Sequence, residues 1–244
     1  MKKSLIKLVI LGIIPLVSGS ALAQENKEKK VKKQVYEIAV RQVKDSMKVD
    51  FESARTSFIN ILTEQKGVSN DREFNSFYAL PAPDTNEVFI GMTEYKSMKT
   101  VSEVQSNSEV GSAFMNFAQT MDLKAYVFVQ PAEGGKFDLE TLAAQPGQVL
   151  ELAVRKVKEG QDAAFETSRK AFVNWLNGQE GVVGSWEFTV VGGANTENIT
   201  VGMSVYESQA AFQAIAEKVQ QLPEAGAYFT TFDPVALQYA VSIK

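Results

Sequence analysis

Apolar residues recur at two different periods along this chain, and the change of period marks its elements. Val35 to Val43 and Val149 to Val157 alternate between faces and are rich in valine, which predicts two strands. Phe51, Ala54, Phe58 and Leu62 fall at helical spacing, as do Phe165, Phe172, Val173 and Leu176, and Gly67 or Gly181 ends each helix. Val68 to Tyr78 and Glu87 to Tyr95 then read as two strands around a loop rich in Pro, Asp and Asn. Val182 to Val191 and Asn198 to Tyr206 repeat that pair around Gly192-Gly193. A helical stretch from Ser97 to about Thr120 is matched by one from Ser208 to about Phe232, broken near Pro223. The last strands are Leu123 to Val129 and Val235 to Ser242.

The two series are one pattern written twice. Val35 to Phe74 aligns with Val149 to Phe188 at an offset of 114, and 18 of the 40 positions are identical, among them Arg55/Arg169, Gly67/Gly181 and Glu73/Glu187. The expected organisation is a first repeat at 35–130, a linker at 131–148 carrying Gly134-Gly135 and Pro146-Gly147, and a second repeat at 149–244. Each repeat has the order β-α-β-β-α-β, an α+β ferredoxin-like arrangement. Such a unit covers one sheet face with helices and leaves the other bare. Two bare faces on one chain bury each other, so a monomer with an internal pseudo-twofold axis is expected.

Alternation sorts side chains by face. Tyr36, Ile38 and Val40, with Leu150, Leu152 and Val154, form a wholly apolar set; so do Val88, Ile90 and Met92 with Ile199, Val201 and Met203. These are expected to face the helices. The opposite face carries Glu37, Ala39 and Arg41 beside Gly91, Thr93 and Tyr95, and in the second repeat Glu151, Ala153 and Arg155 beside Gly202, Ser204 and Tyr206. It is expected to line the space between the two sheets. A carboxylate, a guanidinium, small residues and a tyrosine suit a cavity with a few polar groups: arginine donates parallel hydrogen bonds to an anionic or enolate oxygen, and glycine leaves room. The same residues equally suit a structural role, with Glu37 pairing with Arg155 and Glu151 with Arg41 across the axis. Trp186, opposite Arg72 of the first repeat, is either a stacking surface for an aromatic ligand or core packing. The candidate ligand-binding set is therefore Glu37, Arg41, Tyr95, Glu151, Arg155, Trp186 and Tyr206. Glu52/Arg55 and Glu166/Arg169, three apart on helices, read as solvated ion pairs. Asn60 and Asn174 read as helix-surface residues.

Composition narrows the chemistry. The 244 residues include no cysteine and no histidine, which excludes thiolate nucleophiles, Cys-based zinc or iron–sulfur sites, Ser-His-Asp triads and His-ligated haem or metal. No metal and no cofactor is expected. At the N-terminus, Lys2, Lys3 and Lys7 precede the apolar run Leu8 to Val17 and the small-residue site Ala21-Leu22-Ala23, the order of a secretory signal peptide. Cleavage after Ala23 is expected, with no stable membrane insertion afterwards; residues 24–34 read as a charged spacer. The exported product has 22 basic and 29 acidic side chains, a net charge of −7. That balance opposes nucleic acid or an anionic membrane as partner, and export places the protein in the periplasm.

Glu151 to Gly160, Phe165, Trp175-Leu176, Gln179 to Val182, Tyr206 and Phe232 to Leu237 carry a resemblance to the antibiotic biosynthesis monooxygenase-like domains of the dimeric α/β barrel superfamily, over both repeats. The resemblance implies tandem ferredoxin-like repeats forming an intramolecular dimeric α/β barrel. For activity it implies cofactor-free oxygenases, haem-degrading enzymes and stress-related proteins, and this chain departs from members that depend on a pocket histidine. The functional expectation is an exported module that binds a small apolar or aromatic molecule between the two sheets. One alternative is cofactor-independent oxygenation of an activated phenol, with Arg41 or Arg155 stabilising the anion, Tyr95 or Tyr206 as the phenol, and a Glu37 or Glu151 of raised pKa as base. Another is a non-catalytic scaffold or stress-related role. If one half alone acts, the second, which follows the family pattern more cleanly, is the one expected.

Overall fold

A computed structural model describes residues 34–132 and 136–243. The expected signal peptide at 1–23, all of the expected spacer but Gln34, and Gly134-Gly135 lie outside the described residues. Among these, eight strands and six helices follow in the order β1 (Val35–Val43), α1 (Lys48–Thr63), β2 (Val68–Leu80), β3 (Val88–Tyr95), α2 (Met98–Gln105), α3 (Ser108–Ala118), β4 (Met121–Pro131), β5 (Val149–Val157), α4 (Asp162–Asn177), β6 (Val182–Gly193), β7 (Ile199–Tyr206), α5 (Gln209–Gln220), α6 (Pro223–Phe229) and β8 (Phe232–Ser242). β1 and β5 coincide with the strands predicted. The stretch from Ser97 to Thr120 is two helices, because the Asn107 side chain accepts from the Glu109 and Val110 N–H groups and caps α3. Pro223 opens α6, where its missing N–H costs nothing.

The strands close into one antiparallel barrel in the order β1-β3-β2-β8-β5-β7-β6-β4. β4-β1-β3-β2 form one half and β8-β5-β7-β6 the other. The halves join along β2 and β8, from Phe74↔Ser242 to Leu80↔Leu237, and along β4 and β6, from Val127↔Gly193 to Pro131↔Phe188. Closure leaves no strand edge unpaired. No helix among the described residues is long and apolar enough to cross a membrane.

The face that points inward is the reverse of the one expected. Tyr36, Ile38, Val40, Ile90 and Met92 pack with Leu150, Leu152, Val154, Val201 and Met203 into a single cluster shared by both halves, which fills the barrel. Glu37, Arg41, Tyr95 and their counterparts point outward, under the helices. There, Phe51, Phe58, Leu62 and Phe117 cover Val35, Phe89 and Tyr95 of the first half, and Phe165, Phe172, Leu176 and Tyr228 cover Val149, Tyr206 and Tyr239 of the second. The interior is reached by neither helix nor solvent, so only side chains with little need of polar partners fill it without leaving such groups unpaired. The mixed set lies where helices and neighbouring strands supply partners.

The 131–148 segment is more than a turn. Leu139, Leu142 and Ala143 are buried in the interior cluster, and Phe137 meets the rings of Tyr36, Phe188 and Trp186 edge-on at 4.8, 4.9 and 5.8 Å. Trp186 Nε1 donates to the Lys136 carbonyl at 3.0 Å and Arg72 Nη1 to the Glu140 carbonyl at 2.7 Å. The segment thereby stoppers the barrel at the end where β4 leaves and β5 enters.

Candidate functional site

Each half buries a polar cluster between its sheet and its helices. In the first, β1 contributes Glu37 and Arg41, β2 contributes Asp71 and Glu73, β3 contributes Thr93 and Tyr95, and α1 contributes Arg55. The Tyr95 hydroxyl donates to Glu37 Oε2 at 2.7 Å, and the Thr93 hydroxyl to Asp71 Oδ1 at 3.1 Å. Arg55 Nη2 donates to Asp71 Oδ2 at 3.0 Å and also pairs with Glu73. Arg41 stands 3.7 Å from Glu73 Oε1. A cavity of about 10 Å³ remains, walled by Phe58, Ile59, Phe114, Phe117, Leu123 and Tyr126.

The second half repeats the plan with different pairings. Arg155 Nη2 donates to Glu187 Oε2 at 2.6 Å, Arg155 Nη1 to Glu187 Oε1 at 3.3 Å, and the same nitrogen to the Tyr228 hydroxyl. Glu151 accepts from the hydroxyls of Tyr206 and, at 3.5 Å, Tyr239. Arg169 pairs with Glu166 at 2.8 Å and approaches Glu187 at 3.8 Å. The cavity is about 30 Å³, walled by Phe172, Leu176, Phe229, Phe232 and Leu237.

Two backbone features make room for the guanidiniums. One extra residue on β4, Lys124, and one on β8, Val235, bulge the ladder opposite Arg41 and Arg155, which re-aims the strand at the site. Gly91 and Gly202 lie beneath the two arginines. A Cβ on Gly91 would overlap Arg41 Nη2, and one on Gly202 would lie 2.8 Å from Glu187 Oε1 and 2.9 Å from Arg155 Nη2.

The pairings differ from those anticipated. Neither Glu37–Arg155 nor Glu151–Arg41 forms, because the two sets face away from each other on opposite outer walls of a filled barrel. Each arginine instead takes a glutamate from β2 or β6, across the intervening β3 or β7. Arg55 is not a solvated partner of Glu52; it is buried on Asp71 and Glu73, whereas Arg169 does pair with Glu166. Asn60 and Asn174 are exposed on their helices. Trp186 lies at the stoppered barrel end and joins neither cluster. Met92 and Met203, expected under the helices, are inside the barrel. Asp71, Glu73, Glu187, Tyr126, Tyr228 and Tyr239 are the site residues that sequence reasoning missed. Glu73/Glu187 stood among the identities between the repeats, which was a usable signal; the tyrosines differ between halves and left none.

Burial governs the titration of these groups. It pushes the Glu37 and Glu151 carboxyls above their ordinary range, partly opposed by the Tyr95 and Tyr206 hydrogen bonds and by Arg41 and Arg155. It raises the Tyr95, Tyr206 and Tyr239 phenols well above theirs, with the adjacent glutamates acting the same way. The two arginines part company. Burial lowers Arg41, and Asp71 and Glu37 only partly oppose it; for Arg155, Glu187 and Tyr228 outweigh burial and raise it. The site thus offers neutral phenols, reluctant acids and two unequal cations. No group of three or more metal-ligating side chains occurs among the described residues.

With a closed eight-stranded barrel wrapped by helices on its outer face, the molecule can be set beside known structures. An anthrone oxidase-like protein is 13% identical over 87% of this chain and 92% of its own, with a TM-score of 0.64. A provisionally named monooxygenase of Fusobacterium nucleatum subsp. nucleatum is 15% identical over 88% and 94%, with a TM-score of 0.56. A dye-decolorizing peroxidase of Bacteroides thetaiotaomicron is 8% identical over 86% and 93%, at 0.52. The chain has a dimeric α/β barrel fold. At these identities the likeness is one of fold alone. No known family profile matches the chain, and no curated protein matches it in sequence.

Proposed function

We propose that this protein is an exported, non-catalytic module that binds a small apolar or aromatic molecule between the sheet and the helices of one half. The observation that carries the reading is the buried Glu–Arg–Tyr cluster set against an aromatic wall with residual space, while the barrel interior is full. The space is small, about 10 and 30 Å³, enough for one or two waters. A ligand therefore enters by displacing rim side chains such as Leu123 or Phe229, which are 44% and 43% exposed. The fold likeness to proteins named as a monooxygenase and as anthrone oxidase-like is in keeping with a ligand in this layer. Two tandem ferredoxin-like repeats, descended from one and closed on each other within a monomer, are the architecture we infer. Export to the periplasm rests on the N-terminal pattern.

The oxygenase reading needs a base, and the two candidates, Glu37 and Glu151, are buried and already accept tyrosine hydrogen bonds; we place it second. A scaffold role is favoured by the small cavities and becomes the reading if no ligand is found. The test is native mass spectrometry of protein from its own source, with thermal melts against a panel of aromatic compounds. A co-purifying mass that leaves on denaturation is expected. A bare mass and no melting response across the panel would overturn the binding reading. Oxygen uptake with dihydroxyaromatic compounds is expected to be absent, and fractionation with N-terminal sequencing should place the chain outside the cytoplasm, beginning at Gln24.

A further inference from the structure

The two pockets are copies, yet their arginines are unequally satisfied. Arg155 donates to both oxygens of Glu187 and to the Tyr228 hydroxyl. Arg41 is 4% exposed and donates no hydrogen bond among the described residues. Its contact with Glu73 Oε1 is 3.7 Å; Nε is buried without a partner in both arginines, so the difference lies in the terminal Nη nitrogens.

Two changes between the halves account for this. Phe117 stands where the second half has Tyr228. The Thr120 hydroxyl donates to the Phe117 carbonyl as the Thr231 hydroxyl does to that of Tyr228, and the rings lie 5.2 and 5.9 Å from their arginines. Phe117 has no hydroxyl to offer. Asp71 stands where the second half has Ser185, and it draws in Arg55, which then also takes Glu73. Its counterpart Arg169 turns to Glu166 and comes no nearer than 3.8 Å to Glu187, whose close contacts are with Arg155.

A guanidinium carries five donors, and leaving buried donors unmade is costly. Those of Arg41 border the first cavity, where Glu37, Asp71, Thr93 and Tyr126 also reach the wall and Phe58, Ile59, Phe114, Phe117 and Leu123 supply its apolar side. We propose, building on the reading of these layers as ligand sites, that the first half is the ligand-binding one and takes an apolar molecule through a neutral carbonyl oxygen held by Arg41. Charge sets the class. Three carboxyls, Glu37, Asp71 and Glu73, already face two guanidiniums, Arg41 and Arg55. A further anion meets repulsion, whereas a carbonyl accepts hydrogen bonds and adds no charge. The present space of about 10 Å³ matches an oxygen-sized group, and the apolar body extends outward past Ile59, Phe114 and Leu123. In the second half the Tyr228 hydroxyl occupies the equivalent position.

Ligand-observed NMR titration of the full chain with 2-acetylnaphthalene, 2-naphthoate and 2-ethylnaphthalene tests this. The ketone should bind most tightly. Arg41→Met should weaken it by roughly ten- to a hundredfold, the worth of a hydrogen bond to a charged donor. Phe117→Tyr, which installs the second half's hydroxyl beside Arg41, should abolish binding while the chain stays folded. Tighter binding of the naphthoate, equal binding of the ethyl compound, or ketone binding undiminished in Phe117→Tyr would overturn the carbonyl assignment and leave the pocket reading standing. Failure of all three probes to bind would overturn both.

Discussion

Replacing each buried arginine by methionine keeps the length of the side chain and removes its charge and donors, and the two halves should respond differently. Arg155→Met strips Glu187 of both close hydrogen bonds and leaves it Arg169 at 3.8 Å. Breaking a buried pair by deleting one partner costs about 3–5 kcal/mol. Glu187 is 17% exposed, so water recovers part of its solvation and the lower end, about 3 kcal/mol, applies. Arg41→Met removes a 3.7 Å contact with Glu73 and a 5.2 Å contact with the Phe117 ring, and Glu73 keeps Arg55. The desolvation of Arg41 is relieved at the same time, so a cost of about 0–1 kcal/mol is expected. The gap of about 2–3 kcal/mol corresponds to roughly 5–10 °C in Tm for a domain of this size. Urea unfolding followed by circular dichroism, at an unchanged m-value, measures it. Equal losses, or a larger loss for Arg41→Met, would refute the unequal satisfaction of the two arginines.

Further outcomes follow from the same geometry. A carboxyl whose folded pKa lies above its ordinary 4.5 contributes stability that is present below that value and lost as pH rises through the folded pKa. Glu151→Gln should therefore gain on the parent chain in thermal melts as pH goes from about 4 to about 8; a relative loss would mean that Glu151 is held ionised. Leu152→Ala, in the filled interior, should cost about 2–5 kcal/mol, while Leu123→Ala at the exposed rim should cost about 0.5 or less, which chemical denaturation separates. Leu139→Ala should fall in the first range, as a core truncation, because the segment stoppers the barrel. Gly202→Ala forces a Cβ to within 2.9 Å of both Glu187 and Arg155 and should destabilise by about 1–3 kcal/mol without change of fold, read by the same assay.

Much of the architecture was legible in the residues. β1 and β5 begin and end where alternation places them, and the order of elements follows from periodicity with its Gly, Asn and Pro punctuation. Glu37, Arg41 and Tyr95 were grouped on one face correctly, as were Glu151, Arg155 and Tyr206, because a strand's period of two leaves no freedom in which residues share a side. Their partners were not legible. Glu73 and Glu187 come from two strands over, beyond β3 and β7, and Tyr228 from a short helix seventy-three positions from Arg155; strand order and helix placement decide which of these meet. The segment at 131–148 read as a linker because its glycines and prolines are prominent, while Leu139 and Leu142 have no periodicity long enough to reveal their burial.

Local sequence therefore determined the elements and the composition of each sheet face, through backbone sterics and the alternation of side chains. Tertiary structure decided which face turned inward. In a barrel wrapped by helices both faces are buried, so burial alone does not distinguish them. The deciding quantity is whether polar partners exist on a given side. The closed interior offers few, and takes the apolar sets; the layer beneath the helices offers arginine, carboxylate and tyrosine from several elements, and takes the mixed ones. The same logic separates the two halves: equivalent arginines on equivalent strands acquire different chemistry because one meets Tyr228 where the other meets Phe117, and because Asp71 stands where the second half has Ser185.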